Sequence, residues 1–217
     1  MITGDDSNDN FFLIRHGETY ANRLNYIQGT LNNDLTSLTK RGILEAENYQ
    51  KLFNNNQIDY VYTSLLKRAV RTGEIICAET NIRIQVDNRL SEISYGEWNG
   101  ADINKLKRQY STYFDIETND VRPHSILINN GESFEHARER IWSFILDVSS
   151  KHLQKNILII THGWVIKNII SLCLKNIDGT VFKNPHNLSV SKIQINPILK
   201  QQKICYYNRP YIGTMAL

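Results

Sequence analysis

The sequence predicts an α/β layered fold around a largely parallel sheet. Three observations carry this expectation. Short apolar runs alternate with longer segments of helical period. Two of the runs, residues 11–14 and 157–160, are apolar at every position, the pattern of strands covered on both faces. The chain then closes on two strand-like stretches, 189–195 and 203–207, that turn near Asn196-Pro197 and predict one antiparallel edge.

Taken in order, residues 1–10 are polar and read as a flexible tail, and 11–217 as a single domain. Residues 11–14 form the first strand, followed by Arg15-His16-Gly17-Glu18-Thr19 and a long polar loop through Asp34. Thr39 caps a helix in which Ile43, Leu44, Ala46, Tyr49, Leu52 and Phe53 recur at helical spacing, and asparagines 54–56 end it. A second strand covers 58–62. Thr63 or Ser64 caps a helix beginning at Ser64 and running to about Thr80, and 82–86 alternates as a third strand. Residues 87–131 are the least regular, with a short helix over 102–110 and a turn at Asn130-Gly131. A long helix over 133–152, a buried strand over 157–160 and a helix over 164–174 follow.

Composition narrows the function classes. At 217 residues, 41% hydrophobic and 22% charged, the chain is neither disordered, collagenous nor a coiled-coil rod. A net charge of +3, without a basic stripe interleaved with aromatics, argues against nucleic acid as a partner. Such mild cationic character suits a small anionic ligand. No run of about 18 apolar residues is present, so no membrane span is expected, and residues 1–10 lack the features of a signal peptide. The three cysteines, Cys77, Cys173 and Cys205, form no CxxC pair, which argues against a disulfide framework or zinc site and for a cytoplasmic protein. Cys77 and Cys173 read as core thiols.

One local echo points to a site. Phe12-Leu13-Ile14-Arg15-His16-Gly17 and Leu158-Ile159-Ile160-Thr161-His162-Gly163 are each an apolar strand, a polar residue, then His-Gly. Ligands of parallel sheets bind beyond the carboxyl ends of the strands, so two histidines at two such ends can face one crevice. Either histidine alone reads as a hydrogen-bonded loop residue. The pair, with Arg15 and with Arg68 on the first turn of the second helix, reads as an anion site. The N-terminus of that helix would add backbone N–H donors.

These blocks resemble the signature of the histidine phosphatase superfamily, also called phosphoglycerate mutase-like. Arg15-His16-Gly17-Glu18-Thr19 with Asn22 opens the match. It continues in order through Leu38-Thr39-Lys40-Arg41-Gly42, Ser64 to Thr72, Leu90-Ser91-Glu92 with Tyr95-Gly96-Glu97-Trp98-Asn99-Gly100, Gly131-Glu132-Ser133, and Thr161-His162-Gly163. Six blocks in order over about residues 11–195 are specific where any one would be weak. Two positions depart from the pattern: Gly73 stands where many members have alanine, and Trp164 where many have a second glycine. The Trp164 indole could floor the pocket or simply pack in the core.

The resemblance implies a three-layer α/β/α sandwich with a cap insertion at about 101–131. It implies a metal-independent phosphatase that needs no cofactor and acts on a small phosphorylated metabolite, as a monomer or homodimer. His16 is then the nucleophile that becomes phosphohistidine, Glu92 the general acid, and Arg15, Arg68 and His162 the phosphoryl clamp. Gly17, Thr19, Asn22, Gln28 and Gly163 join them at the phosphoryl end. Arg122 and His124, in the cap, are expected to touch the rest of the substrate. Glu97 is a rival to Glu92 but reads as a surface carboxylate, and Glu18 reads as a loop-orienting residue. The chemistry fits, because a phosphomonoester dianion repels nucleophiles until fixed cations neutralise it and the leaving oxygen receives a proton. Only 69 residues separate Glu92 from His162, without an Arg-Arg pair, which favours hydrolysis over a phosphoglycerate mutase reaction. A catalytically silent binding module is the remaining alternative.

Overall fold

A computed structural model describes residues 8–52, 58–118, 120–175 and 182–210. Six strands form one mixed sheet in the order β3-β2-β4-β1-β5-β6: β1 (Asp9–Arg15), β2 (Tyr60–Thr63), β3 (Ile84–Val86), β4 (Asn156–Thr161), β5 (Val190–Asn196) and β6 (Gln201–Arg209). The first four are mutually parallel. β5 runs antiparallel to β1, and β6 antiparallel to β5, so the reversed strand lies inside the edge. Asp9 and Asn10, which the sequence assigns to the tail, are the first residues of β1. The asparagines expected to end the first long helix lie outside the described residues.

Alternation along the central strands builds two cores. Phe11, Leu13, Ile157 and Ile159 face one way and pack against Ile141, Phe144, Ile145 and Val148 of α6 (Phe134–Lys151) and Val165, Ile166 and Ile169 of α7 (Gly163–Cys173). Phe12, Ile14, Leu158 and Ile160 face the other way, onto Ala46 and Tyr49 of α2 (Lys40–Leu52) and Ala69, Ile75 and Ile76 of α3 (Lys67–Ile76). This is why these strands are apolar throughout; each such Leu, Ile or Phe contributes about 1.5–3 kcal/mol of burial. Cys77 is buried in the second core, which pushes its thiol up to about 11. Cys173 is only half-buried at the end of α7.

A third, smaller cluster gathers Trp98, Leu106, Phe114 and Val121 around Ile27, and it organises the cap over the strand ends. It includes α4 (Ile103–Gln109), capped by the Asp102 carboxylate, and takes in Ile128 of the short α5 (Ile126–Asn129). The polar loop after β1 is more ordered than its composition suggests. Thr19 and Asn22 form a reciprocal capping box that starts α1 (Tyr20–Leu24).

Candidate active site

Register places the site. Arg15 of β1 pairs with Thr161 of β4, so His16 and His162 leave adjacent strands at the same level. His16 N–H donates to Thr161 O at 2.9 Å, and the two imidazole centroids lie 5.2 Å apart. β2, on the other side of β4, ends in Thr63, so Ser64 reaches the same edge. All three side chains are buried.

Hydrogen bonding assigns the His16 proton. His16 Nδ1 lies 2.8 Å from Gly17 O; a carbonyl only accepts, so Nδ1 carries the hydrogen and Nε2 keeps its lone pair. His16 lines a cavity of about 240 Å³ beyond the strand ends. His162 Nε2 lies 2.7 Å from Ser64 Oγ, which also accepts from Leu66 N–H at 3.2 Å. A hydroxyl both donates and accepts, so Ser64 Oγ can serve either His162 tautomer; when it donates to Nε2, the His162 hydrogen sits on Nδ1, which is buried without a partner among the described residues.

The two arginines are fixed by carbonyls. Arg15 Nη1 donates to Pro185 O at 2.6 Å, while Arg68 donates through Nη1 to Leu31 O at 3.0 Å and through Nη2 to Gly29 O at 2.7 Å. In both, the buried Nε has no partner. Among the described residues, the Nε groups of these two cavity-lining arginines are buried and unpaired, which makes them donors suited to an anion. His162 is not among the residues that line the cavity, although its ring lies 5.2 Å from that of His16. Gly163 makes room for this. A Cβ there would lie 3.1 Å from Asn184 Oδ1 and 3.4 Å from Arg15 Nε.

Glu92 lines the cavity between these cations. Its carboxylate accepts from Ile93 N–H at 3.1 Å and more loosely from Trp164 N–H at 3.5 Å. Burial raises its pKa from the ordinary 4.5, against the pull of Arg68 and Arg15. Burial, then Arg68 and Arg15, hold His16 well below the usual imidazole range, and burial does the same to His162 with help from Arg68. Burial, aided by Arg15, brings Arg68 down to about 10, so it remains a cation at neutral pH.

The remaining expected residues fall into two groups. Asn22 and Gln28 line the cavity. Asn22 Oδ1 accepts from Thr19 and from Asn187 Nδ2, leaving its –NH2 as the end free for a ligand. Gly17 and Thr19 do not line the cavity. Gly17 lets the loop approach Gly42, whose carbonyl oxygen would lie 3.0 Å from an added Cβ, and Thr19 caps α1 and hydrogen-bonds Gln28. Glu18 accepts from the Thr39 hydroxyl at 2.7 Å, the loop-orienting contact expected of it, and Glu97 is an exposed partner of Asn130.

Arg122 and His124 do not line this cavity. The cap folds back through a bridge between Phe114 and Val121, which turns Phe114, Asp120 and Val121 to the cavity. Arg122 instead lies 3.6 Å from Asp115, and His124 packs on the Tyr113 ring at 4.9 Å. One correction concerns α3. It starts at Lys67, not Ser64, and its first N–H groups are taken by Asn32 Oδ1 and Ser64 Oγ. Trp164 does both things the sequence allowed, lining the cavity and packing edge-on against Phe134.

Asn184 and Asp120 carried no signal in the sequence. Asn184 belongs to the segment that returns across the end of β1, where Leu188 N–H donates to Arg15 O and Asn187 Nδ2 to His16 O. Asp120 is tied to the buried ammonium of Lys167 at 2.6 Å and accepts from Asn184 Nδ2.

A parallel-sheet edge bearing two neutral histidines, two fixed arginines and a carboxyl defines a phosphoryl-handling class of protein. The comparisons name the class: residues 11–203 match the histidine phosphatase superfamily (branch 1), and the chain belongs to that family. The adenosylcobalamin/alpha-ribazole phosphatase of Escherichia coli K12 is 32% identical over 161 residues, 74% of this chain and 76% of that protein. Phosphoserine phosphatase 1 of Hydrogenobacter thermophilus is 26% identical over 206 residues, covering 92% and 95%. Phosphoglycerate mutases are also among the relatives. The solved structure of Bacillus stearothermophilus YhfR superposes with a TM-score of 0.82 at 25% identity, covering 94% of this chain and 98% of that one. The phosphatases among these relatives support a phosphatase activity.

Proposed function

We propose that the protein hydrolyses small phosphomonoesters without a metal, in two displacements at His16. The observation that supports the reading is the pair of unpaired Nε atoms, of Arg15 and Arg68, on the cavity that His16 lines with the lone pair of Nε2 open, and the His162 ring 5.2 Å from that of His16. In the first step Nε2 attacks phosphorus in line, the N–P bond forms and the P–O bond to the alcohol breaks. The departing oxygen takes the proton of Glu92, whose raised pKa keeps the carboxyl protonated further up the pH scale than an exposed glutamate. In the second step the Glu92 carboxylate accepts a proton from water as that water attacks phosphorus. The N–P bond breaks and inorganic phosphate leaves. Arg15, Arg68, His162 and the Asn22 amide hold the phosphoryl oxygens throughout.

Hydrolysis is favoured over a mutase reaction by the wall facing the cap. Its lining includes Lys107, whose ammonium lies over the Phe114 ring, and Asp120, an anion tied to Lys167, rather than the paired cations a second phosphate would require. The test is brief incubation with each member of a phosphometabolite panel in the presence of EDTA. We expect phosphate release and an acid-labile phosphoprotein, both abolished in His16→Ala. Full hydrolysis by His16→Ala, or loss of wild-type activity in EDTA, would reject the mechanism. Transfer between 2- and 3-phosphoglycerate outrunning phosphate release would select the mutase reading.

A further inference from the structure

Glu92 stands at the end of a segment outside the sheet, yet every carbonyl of residues 89–92 is held by a side chain. Arg140 Nη1 donates to Arg89 O and to Ser91 O, each at 2.7 Å, and its Nη2 reaches Glu92 O at 3.4 Å. Thr161 Oγ1, at the end of β4, donates to Leu90 O at 2.7 Å. Arg140 is in turn gripped by Glu132, Nε to Oε1 at 2.7 Å and Nη2 to Oε2 at 2.8 Å. All five guanidinium hydrogens are therefore used, two on one carboxylate and three on successive turns of the segment that carries Glu92. Both side chains are nearly enclosed, 15% and 14% exposed. The Glu132 backbone N–H also donates to Ser94 O at 2.8 Å, so the pair grips the chain on both sides of Glu92.

A buried ion pair is a poor device for stability alone, because desolvation offsets much of its attraction. Its convergence on the backbone of one functional residue has a clearer use. We propose that Arg140 and Glu132 are positioning residues that fix the Glu92 carboxyl for proton transfer to the leaving oxygen. Neither touches substrate. The proposal rests on the assignment of Glu92 as the acid.

The test compares two esters of similar shape, phenyl phosphate and 4-nitrophenyl phosphate. The nitrophenolate departs readily without a proton, whereas phenolate departs slowly without one. In Arg140→Lys and Glu132→Gln we expect kcat/KM on phenyl phosphate to fall about tenfold or more, since misplacing a catalytic group by about 1 Å costs up to about 100-fold. The loss on 4-nitrophenyl phosphate should stay below about threefold, the same pattern as in Glu92→Gln. Equal losses on both esters, or no loss on either, would overturn the proposal; circular dichroism and melting confirm that each variant is folded. Glu132→Gln conserves volume and carries the test should Arg140→Lys fail to fold. A selective loss in Glu92→Gln with none in the two variants would overturn the positioning role alone. Equal losses in Glu92→Gln would overturn the acid assignment, and the positioning role with it.

Discussion

Ser64→Ala removes one hydroxyl and tests how the second histidine is held. Ser64 Oγ accepts from Leu66 N–H and lies 2.7 Å from His162 Nε2; the proposed mechanism needs its hydrogen to be given to that nitrogen, leaving Nδ1–H as the donor. Both residues are fully buried, and no water can replace the hydroxyl without a rearrangement. Orphaning a buried nitrogen costs about 1–3 kcal/mol of stability, which melting would register. The larger consequence is chemical. Without Ser64 the Nε2 lone pair loses its donor and the Nε2–H tautomer gains ground, a form in which Nδ1 can no longer donate to a phosphoryl oxygen as the proposed mechanism requires. Loss of one hydrogen bond to a charged group is worth about 1.5–3 kcal/mol, or roughly 10–200-fold in kcat/KM. Phosphate-release kinetics would measure the loss, and imidazole nitrogen NMR would report the tautomer. A folded Ser64→Ala protein with kcat/KM within twofold of wild type would refute the reasoning.

Two further outcomes follow from the same geometry. In the proposed mechanism His16 attacks only when neutral, and burial and the arginines hold it well below the ordinary 6.5, so the acid limb of kcat/KM should lie below pH 6.5. Glu92 must be protonated, so activity should fall as pH rises through its raised pKa, and Glu92→Gln should abolish that alkaline limb; a limb unchanged in Glu92→Gln would exclude Glu92 as its source. Gly163→Ala should raise KM about tenfold, because the new Cβ crowds Asn184 and the Arg15 guanidinium; an unchanged KM would mean that Arg15 does not bind the phosphoryl group from this position.

Much of this was legible in the sequence because strand ends are punctuated. An apolar run followed by His-Gly fixes both where β1 and β4 stop and which side chain stands at the tip, so His16 and His162 could be paired before any coordinates. The double-sided burial of Phe11 to Ile14 was equally plain, since no polar residue interrupts the run. The cap was not legible in this way. Its elements are short and irregular, and the bridge between Phe114 and Val121 decides which residues look inward, turning Asp120 to the cavity and leaving Arg122 on Asp115. Ser64 escapes the local rules for a related reason: a serine before a helix reads as its cap, but here the hydroxyl, besides accepting from Leu66 N–H, pairs with a distant histidine, and α3 begins three residues later.

The adjacency of β1 and β4 also has a consequence for biosynthesis. His16 emerges early in translation, whereas its imidazole neighbour His162 follows about 146 residues later, and the sheet position between β2 and β1 stays empty until then. At about 5–20 residues per second that interval lasts roughly 7–30 s. Throughout it the apolar flank of the earliest strand lacks its companion, so the nascent polypeptide must be shielded from stickier associations on the ribosome. Turnover of a phosphoester would then be a late reporter, signalling that the centre of the sheet has been filled.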